Sequence, residues 1–103
     1  MATGDLKQNI SGNITQELLA PGNGVDIKSI LIANTHASDA VTVKLYIEKQ
    51  NLGRFSIFNG LTINAGTSIF LKEEVESINN DSNGFGLYIQ LSASTSTVDI
   101  IIN

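Results

Sequence analysis

Residues 41–49 alternate strictly, with Val41, Val43, Leu45 and Ile47 on one parity and Thr42, Lys44, Tyr46 and Glu48 on the other. A period of two puts the four aliphatic side chains on one face of a strand. Residues 25–33 form a denser apolar run whose phase breaks, since Val25 and Ile27 share one parity and Ile30 and Ile32 the other, with Lys28-Ser29 between. Such a run is either a strand buried on both faces near Ile30 to Ile32, or one whose register is reset by a β-bulge at Lys28-Ser29. Asn34-Thr35-His36-Ala37-Ser38-Asp39, between the two runs, has the small polar residues that reverse a chain. The two strands are therefore predicted to form a hairpin at the centre of a β-domain.

The remaining pattern is of the same kind. Residues 14–20 read as a strand stopped by Pro21-Gly22-Asn23-Gly24. Phe55 to Phe58 is a short strand, and Asn59-Gly60, which tolerates positive φ, predicts a tight reversal into Leu61-Thr62-Ile63. After the turn at Asn64-Ala65-Gly66-Thr67, residues 68–72 form another strand. Residues 73–84 read mainly as a loop, in which Val75 and Ile78, three apart, are placed to line one helical turn. Leu87, Ile89 and Leu91 alternate with Tyr88 and Gln90, residues 94–97 turn the chain, and Val98, Ile100 and Ile102 return it as a terminal hairpin. Residues 1–12 are polar and aperiodic apart from Leu6 and Ile10, and read as an N-terminal arm, disordered or added to the sheet edge of a neighbouring subunit. The expectation is an all-β chain, an antiparallel β-sandwich of about eight short strands, jelly-roll or Ig-like, with a single domain over residues 13–103.

Composition narrows the function. One domain is all that 103 residues can build, and the single Pro and abundance of β-branched residues favour strands over helix. A net charge of −4 with six scattered Lys and Arg argues against nucleic acid, whose binding needs clustered cations. Without cysteine there is no disulfide framework or thiolate metal site. The first residues lack the apolar stretch of a signal peptide, and no run approaches the roughly 20 residues of a membrane span. These features predict a protein made in a cytoplasm, with no membrane partner. Its weakly charged Asn-, Ser-, Thr- and Gly-rich surface suits packing against another protein.

Candidate chemistry is sparse. His36 is the one histidine, without the partners of a triad or zinc site, and reads as a solvated turn residue. Glu73, Glu74, Glu76 and Asp81 concentrate carboxylates in one interval. A glycosidase pair would need two of them held at a set spacing in a cleft, and a solvated acidic loop is the simpler reading. Asn79, Asp81 and Asn83 before Gly84 mimic the alternate oxygen ligands of a calcium loop, but Gln90 stands where the bidentate Glu belongs. Sequons at Asn9, Asn13 and Asn80 carry no weight in a chain read as unsecreted. The glycines mark turns and form no phosphate loop. Tyr46 and Tyr88, on the polar parity, read as available for an interface. No catalytic, cofactor-binding or metal residue is expected, and the chain reads as a non-enzyme.

Ser29-Ile30-Leu31-Ile32, Asn34-Thr35, Ala37-Ser38 and Val41-Thr42-Val43, then Leu61, Ala65-Gly66 and Ser68-Ile69, and a closing strand pair, together resemble a group of small bacteriophage structural proteins. The resemblance covers most of residues 14–103. It implies a virion β-sandwich, in first place a capsid decoration or cement protein that binds and stabilises the assembled particle. The alternative is a tail, fibre or head-tail accessory module that binds a receptor or carbohydrate. It further implies location in the virion, major capsid or tail proteins as partners, and a homo-oligomer.

Overall fold

The computed structural model describes residues 2–3, 6–49, 52–73, 75–76, 78, 80 and 84–103. Its strands are β1 (Ala2–Thr3), β2 (Leu6–Ser11), β3 (Thr15–Leu19), β4 (Val25–Asp26), β5 (Ile30–Asn34), β6 (Val41–Lys49), β7 (Gly53–Ile63), β8 (Ser68–Leu71), β9 (Gly86–Leu91) and β10 (Thr97–Ile102). Two four-stranded antiparallel sheets face each other, the first in the order β2-β10-β5-β8 and the second β3-β9-β6-β7, while β1 and β4 form a two-residue parallel pair. The chain is an all-β sandwich, and this interleaved order is that of an eight-stranded jelly roll.

The alternation on β6 works as expected: Val41, Val43 and Leu45 are buried between the sheets. Opposite them lie Ile30 and Ile32 from β5 and Val98, Ile100 and Ile102 from β10. The phase break at Lys28-Ser29 is a bulge, because the amides of both residues donate to the carbonyl of Asn103, at 2.5 and 3.0 Å. Two residues thereby oppose one, and the parity switches between Ile27 and Ile30, both of which are buried.

Three expectations need correction. The expected hairpins across residues 34–39 and 94–97 are crossings between sheets: β5 and β10 lie in the first sheet, β6 and β9 in the second. Polar turn residues reverse the chain equally well in either case, and the choice is made by the need to cover one apolar face with another. Asn59-Gly60 is no hairpin turn either. Strand β7 continues through it, and its 11 residues pair with the nine of β6 through two register shifts. The shifts leave Ile57 and Gly60 as extra residues, with Gly60 at φ +91°. The bulge at Ile57 turns both Ile57 and Phe58 against the core. Finally, residues 6–11 of the expected arm are strand β2, paired with β10 from Leu6↔Ile102 to Ser11↔Thr97. Ile10 is the anchor that the polar composition hid, buried beneath the sheet opposite Val98.

Buried asparagines close the two ends. Asn34 donates from its side-chain amide to the carbonyls of Asp39 and Ile63, both at 2.9 Å, and accepts the amide of His36 at 3.0 Å. Asn80 donates to the carbonyls of Ala20 and Phe85 and accepts the amide of Val25. At this second end, the amides of Val75 and Glu76 donate to Lys72 and that of Ile78 to Val75. The single helical turn so formed plugs the core with Val75 and Ile78. No helix among the described residues is long and apolar enough to cross a membrane.

Candidate functional site

With the aliphatic parity of β5, β6, β9 and β10 turned inward, chemistry is left to the outer faces and open edges. On the first sheet, register places Lys7, Ile101, Leu31 and Phe70 side by side across β2, β10, β5 and β8. Leu31 and Ile101 are half-buried by their sheet neighbours, and Phe70 is 61% exposed. One step along the strands, the row is Asn9, Asp99, Ala33 and Ser68, with the Asn9 amide donating to the Asp99 carboxylate at 2.6 Å. An apolar centre therefore lies beside a polar margin. An open groove of about 300 Å³ runs along β2 and β10, lined by Lys7, Gln8, Asn9, Asp99, Ile100 and Ile101.

The outer face of the second sheet is polar and aromatic. Tyr46 and Tyr88, directly opposed on β6 and β9, stack with ring centroids 5.4 Å apart and planes at 16°. The Arg54 guanidinium from β7, on the other side of β6, lies 4.0 Å from the Tyr46 ring centroid, and its Nε donates to Glu48 at 3.3 Å. Both faces of the Tyr46 ring are thus occupied, and the side chain is 5% exposed, where its polar parity predicted an available surface. Tyr88 donates its hydroxyl to Glu17. Its pKa is raised above 10.0, first by desolvation and then by the negative charges of Glu17 and Glu48 and by Tyr46. The phenol keeps its proton at neutral pH. The cluster is a cross-strand ladder tying all four strands of the sheet, with no activated nucleophile among its members.

Gly86 makes the ladder possible. A Cβ there would lie 2.9 Å from the Tyr88 hydroxyl, 2.9 Å from Cδ of Pro21 and 3.0 Å from the Leu19 carbonyl oxygen.

The other sequence candidates are not brought together. His36 accepts the amides of Ser38 and Asp39 at its Nδ1, at 3.0 and 2.9 Å, which places the imidazole proton on Nε2, 3.7 Å from the Asp39 carboxylate. It shapes its own loop, with its side chain 27% exposed. Glu73 and Glu76 are exposed, while Glu74 and Asp81 lie outside the described residues. Of the calcium-like string, Asn79, Asp81 and Asn83 also lie outside them, and Gly84 is buried. Among the described residues no cluster of three or more His, Cys, Asp or Glu could hold a metal.

The apolar row was missed in sequence because Leu31, Phe70 and Ile101 sit in runs where both parities are apolar. The available signal was that second parity: Leu31 between Ile30 and Ile32, Phe70 between Ile69 and Leu71, and Ile101 between Ile100 and Ile102.

No family model matches the sequence, and no characterised protein matches it. Among solved structures, one shares its shape and others have a weaker likeness. A crystal structure of PirA is similar at a TM-score of 0.57 and 10% identity, over 96% of this chain and 93% of that one. The Anabaena sensory rhodopsin transducer gives a TM-score of 0.48 at 18% identity, over 100% and 98% of the two chains. The Drosophila melanogaster CENP-C cupin domain gives 0.44 at 9% identity, over 94% of this chain and 58% of that one. At this level of identity the PirA likeness speaks for the sandwich fold alone.

Proposed function

We propose that the chain is a non-enzymatic structural protein of a bacteriophage particle, a decoration protein that seats on the capsid shell through the outer face of its first sheet. The observation that carries this reading is the row of Ile101, Leu31 and Phe70 on adjacent strands, an apolar stripe beside a hydrogen-bonded polar margin. A docking patch has that anatomy, an apolar centre with a polar rim. The sequence resemblance to phage structural proteins supplies the class of partner. A protein partner is favoured over a sugar because Tyr46 has no open ring face and the chain has no Trp.

The test is attachment. Particles of the phage encoding the chain are purified by density gradient from cells expressing either the wild type or a Leu31→Asp/Phe70→Asp double variant. Both positions lie on the outer face, so the variant keeps its core. Copurification of the wild type at a fixed copy number, with at least a tenfold loss in the double variant, is the expected result. Absence of the wild-type chain from particles, or equal copurification of both, overturns the proposal. If the chain is recovered on tails or fibres, the partner class stands but the capsid assignment falls.

A further inference from the structure

The four outermost strands of the sandwich differ in how they meet a newcomer. Strand β7 carries two register shifts, β3 is shifted between Glu17 and Leu19, and β8 is four residues long. Bulges and shortness are the devices that stop a sheet from growing. Strand β2 has neither: it runs six residues in unbroken register with β10 and contains no proline. Beside it, between the edges of the two sheets, lies an open groove of about 400 Å³ lined by Gln8, Asn9, Ile10, Ser11, Ile14 and Gln16.

We infer that a second copy of the chain pairs with this edge, β2 antiparallel to β2, continuing the first sheet across a two-fold axis. The inference goes beyond the capsid-binding reading and holds whether or not that reading does. The Gly12 amide donates to the Ser96 carbonyl, which extends the β2–β10 ladder by one residue. Alternation along an antiparallel strand then turns the backbone groups of Ile10 and Gln8 toward β10 and those of Asn9 outward. A two-fold axis perpendicular to the sheet keeps inner faces with inner faces, so opposed residues must share parity. With the axis at Gln8, each Gln8 meets its symmetry mate and each Lys7 opposes the other copy's Asn9.

Charge complementarity selects a copy of this chain as the occupant, because the register sets the Lys7 ammonium of one copy against the row in which Asn9 is bonded to the Asp99 carboxylate of the other. The Asn9 amide nitrogen is engaged by Asp99, which leaves Asn9 Oδ1 to accept from the opposing Lys7, an ammonium with three donors. A Lys7–Asn9–Asp99 chain then forms twice, once on each side of the axis. An unrelated extended peptide would gain the ladder without this doubled contact. The paired sheets would also present their two apolar rows on the same side.

The absence of cysteine makes the test clean. Opposed residues in a non-hydrogen-bonded antiparallel pair have Cα atoms about 4.5 Å apart, within disulfide reach, whereas two Asn9 residues in this register are offset by two positions, beyond about 7 Å. Under mild oxidation, Gln8→Cys is expected to convert to a covalent dimer and Asn9→Cys to stay uncrosslinked. Sedimentation of the unmodified wild type at high micromolar concentration is expected to give twice the 11.0 kDa chain mass. Asn9→Pro, which removes an outward amide and spares the β2–β10 ladder, is expected to return the mass to one chain. A monomeric wild type, equal cross-linking at both positions, or a dimer in which Gln8→Cys fails to cross-link overturns the pairing.

Discussion

Asn34 and Asn80 do what no strand can reach, satisfying carbonyls at the two ends of the sandwich. Replacing Asn34 by Ala leaves the buried Ile63 carbonyl without its donor, and an unsatisfied buried group costs about 1–3 kcal/mol. Denaturant unfolding of Asn34→Ala should show that loss with an unchanged m-value. Tyr88 makes a different prediction. Its folded pKa is raised above the unfolded value of 10.0, chiefly by desolvation. The stability tied to its proton is therefore fully present below pH 10 and drains away as pH rises from there through the folded pKa. Alkaline unfolding of Tyr88→Phe should lack that part of the wild-type loss, and Glu17→Gln should lower the Tyr88 midpoint in a tyrosinate absorbance titration. Neither role was legible in sequence. Asn34 and Asn80 sit in strings of turn-forming residues, and Tyr46 and Tyr88 on a polar parity. Only the assembled sheets determine which asparagine is buried and which ring is covered.

At the scale of elements, the inward alternation of β6, β9 and β10 was legible because period two is a local property of the chain. Which strand each one pairs with was not. The expectation of about eight sandwich strands held through two offsetting misreadings: the supposed arm supplied β2, and two supposed strands fused into β7. Asn59-Gly60 has the conformational freedom of a hairpin turn, but β6 offers a partner long enough to carry β7 straight through, and the same positive φ serves a bulge. A Cβ at Gly60 would touch nothing within 4 Å, so Gly60→Ala should cost only the backbone strain, about 1–2 kcal/mol, read as a shift in the unfolding midpoint. Removing residues 1–11 is predicted to do more. It strips the six-residue ladder from β10 and the buried Ile10, whose burial alone contributes about 1.5–3 kcal/mol. A melting temperature lower by at least about 10 °C is expected. An unchanged melt would return β2 to the status of a dispensable arm.

Across the whole molecule, the two sheets divide the work. The second secures its outer face internally, with Tyr88, Tyr46 and Arg54 stacked in sequence and two carboxylates at their margins. The first carries exposed Phe70 and half-buried Leu31 and Ile101 in a row on its outer face, where the proposed docking would take place. The two-fold pairing along β2 would double that row without covering it. Electron cryomicroscopy of the phage particle, assembled with and without the chain, tests this division most directly. The account predicts added jelly-roll density on the capsid shell, with the β2-β10-β5-β8 sheet toward the shell and Phe70 at the contact. Identical particles, or density seated through the Tyr46 and Tyr88 face, would contradict it.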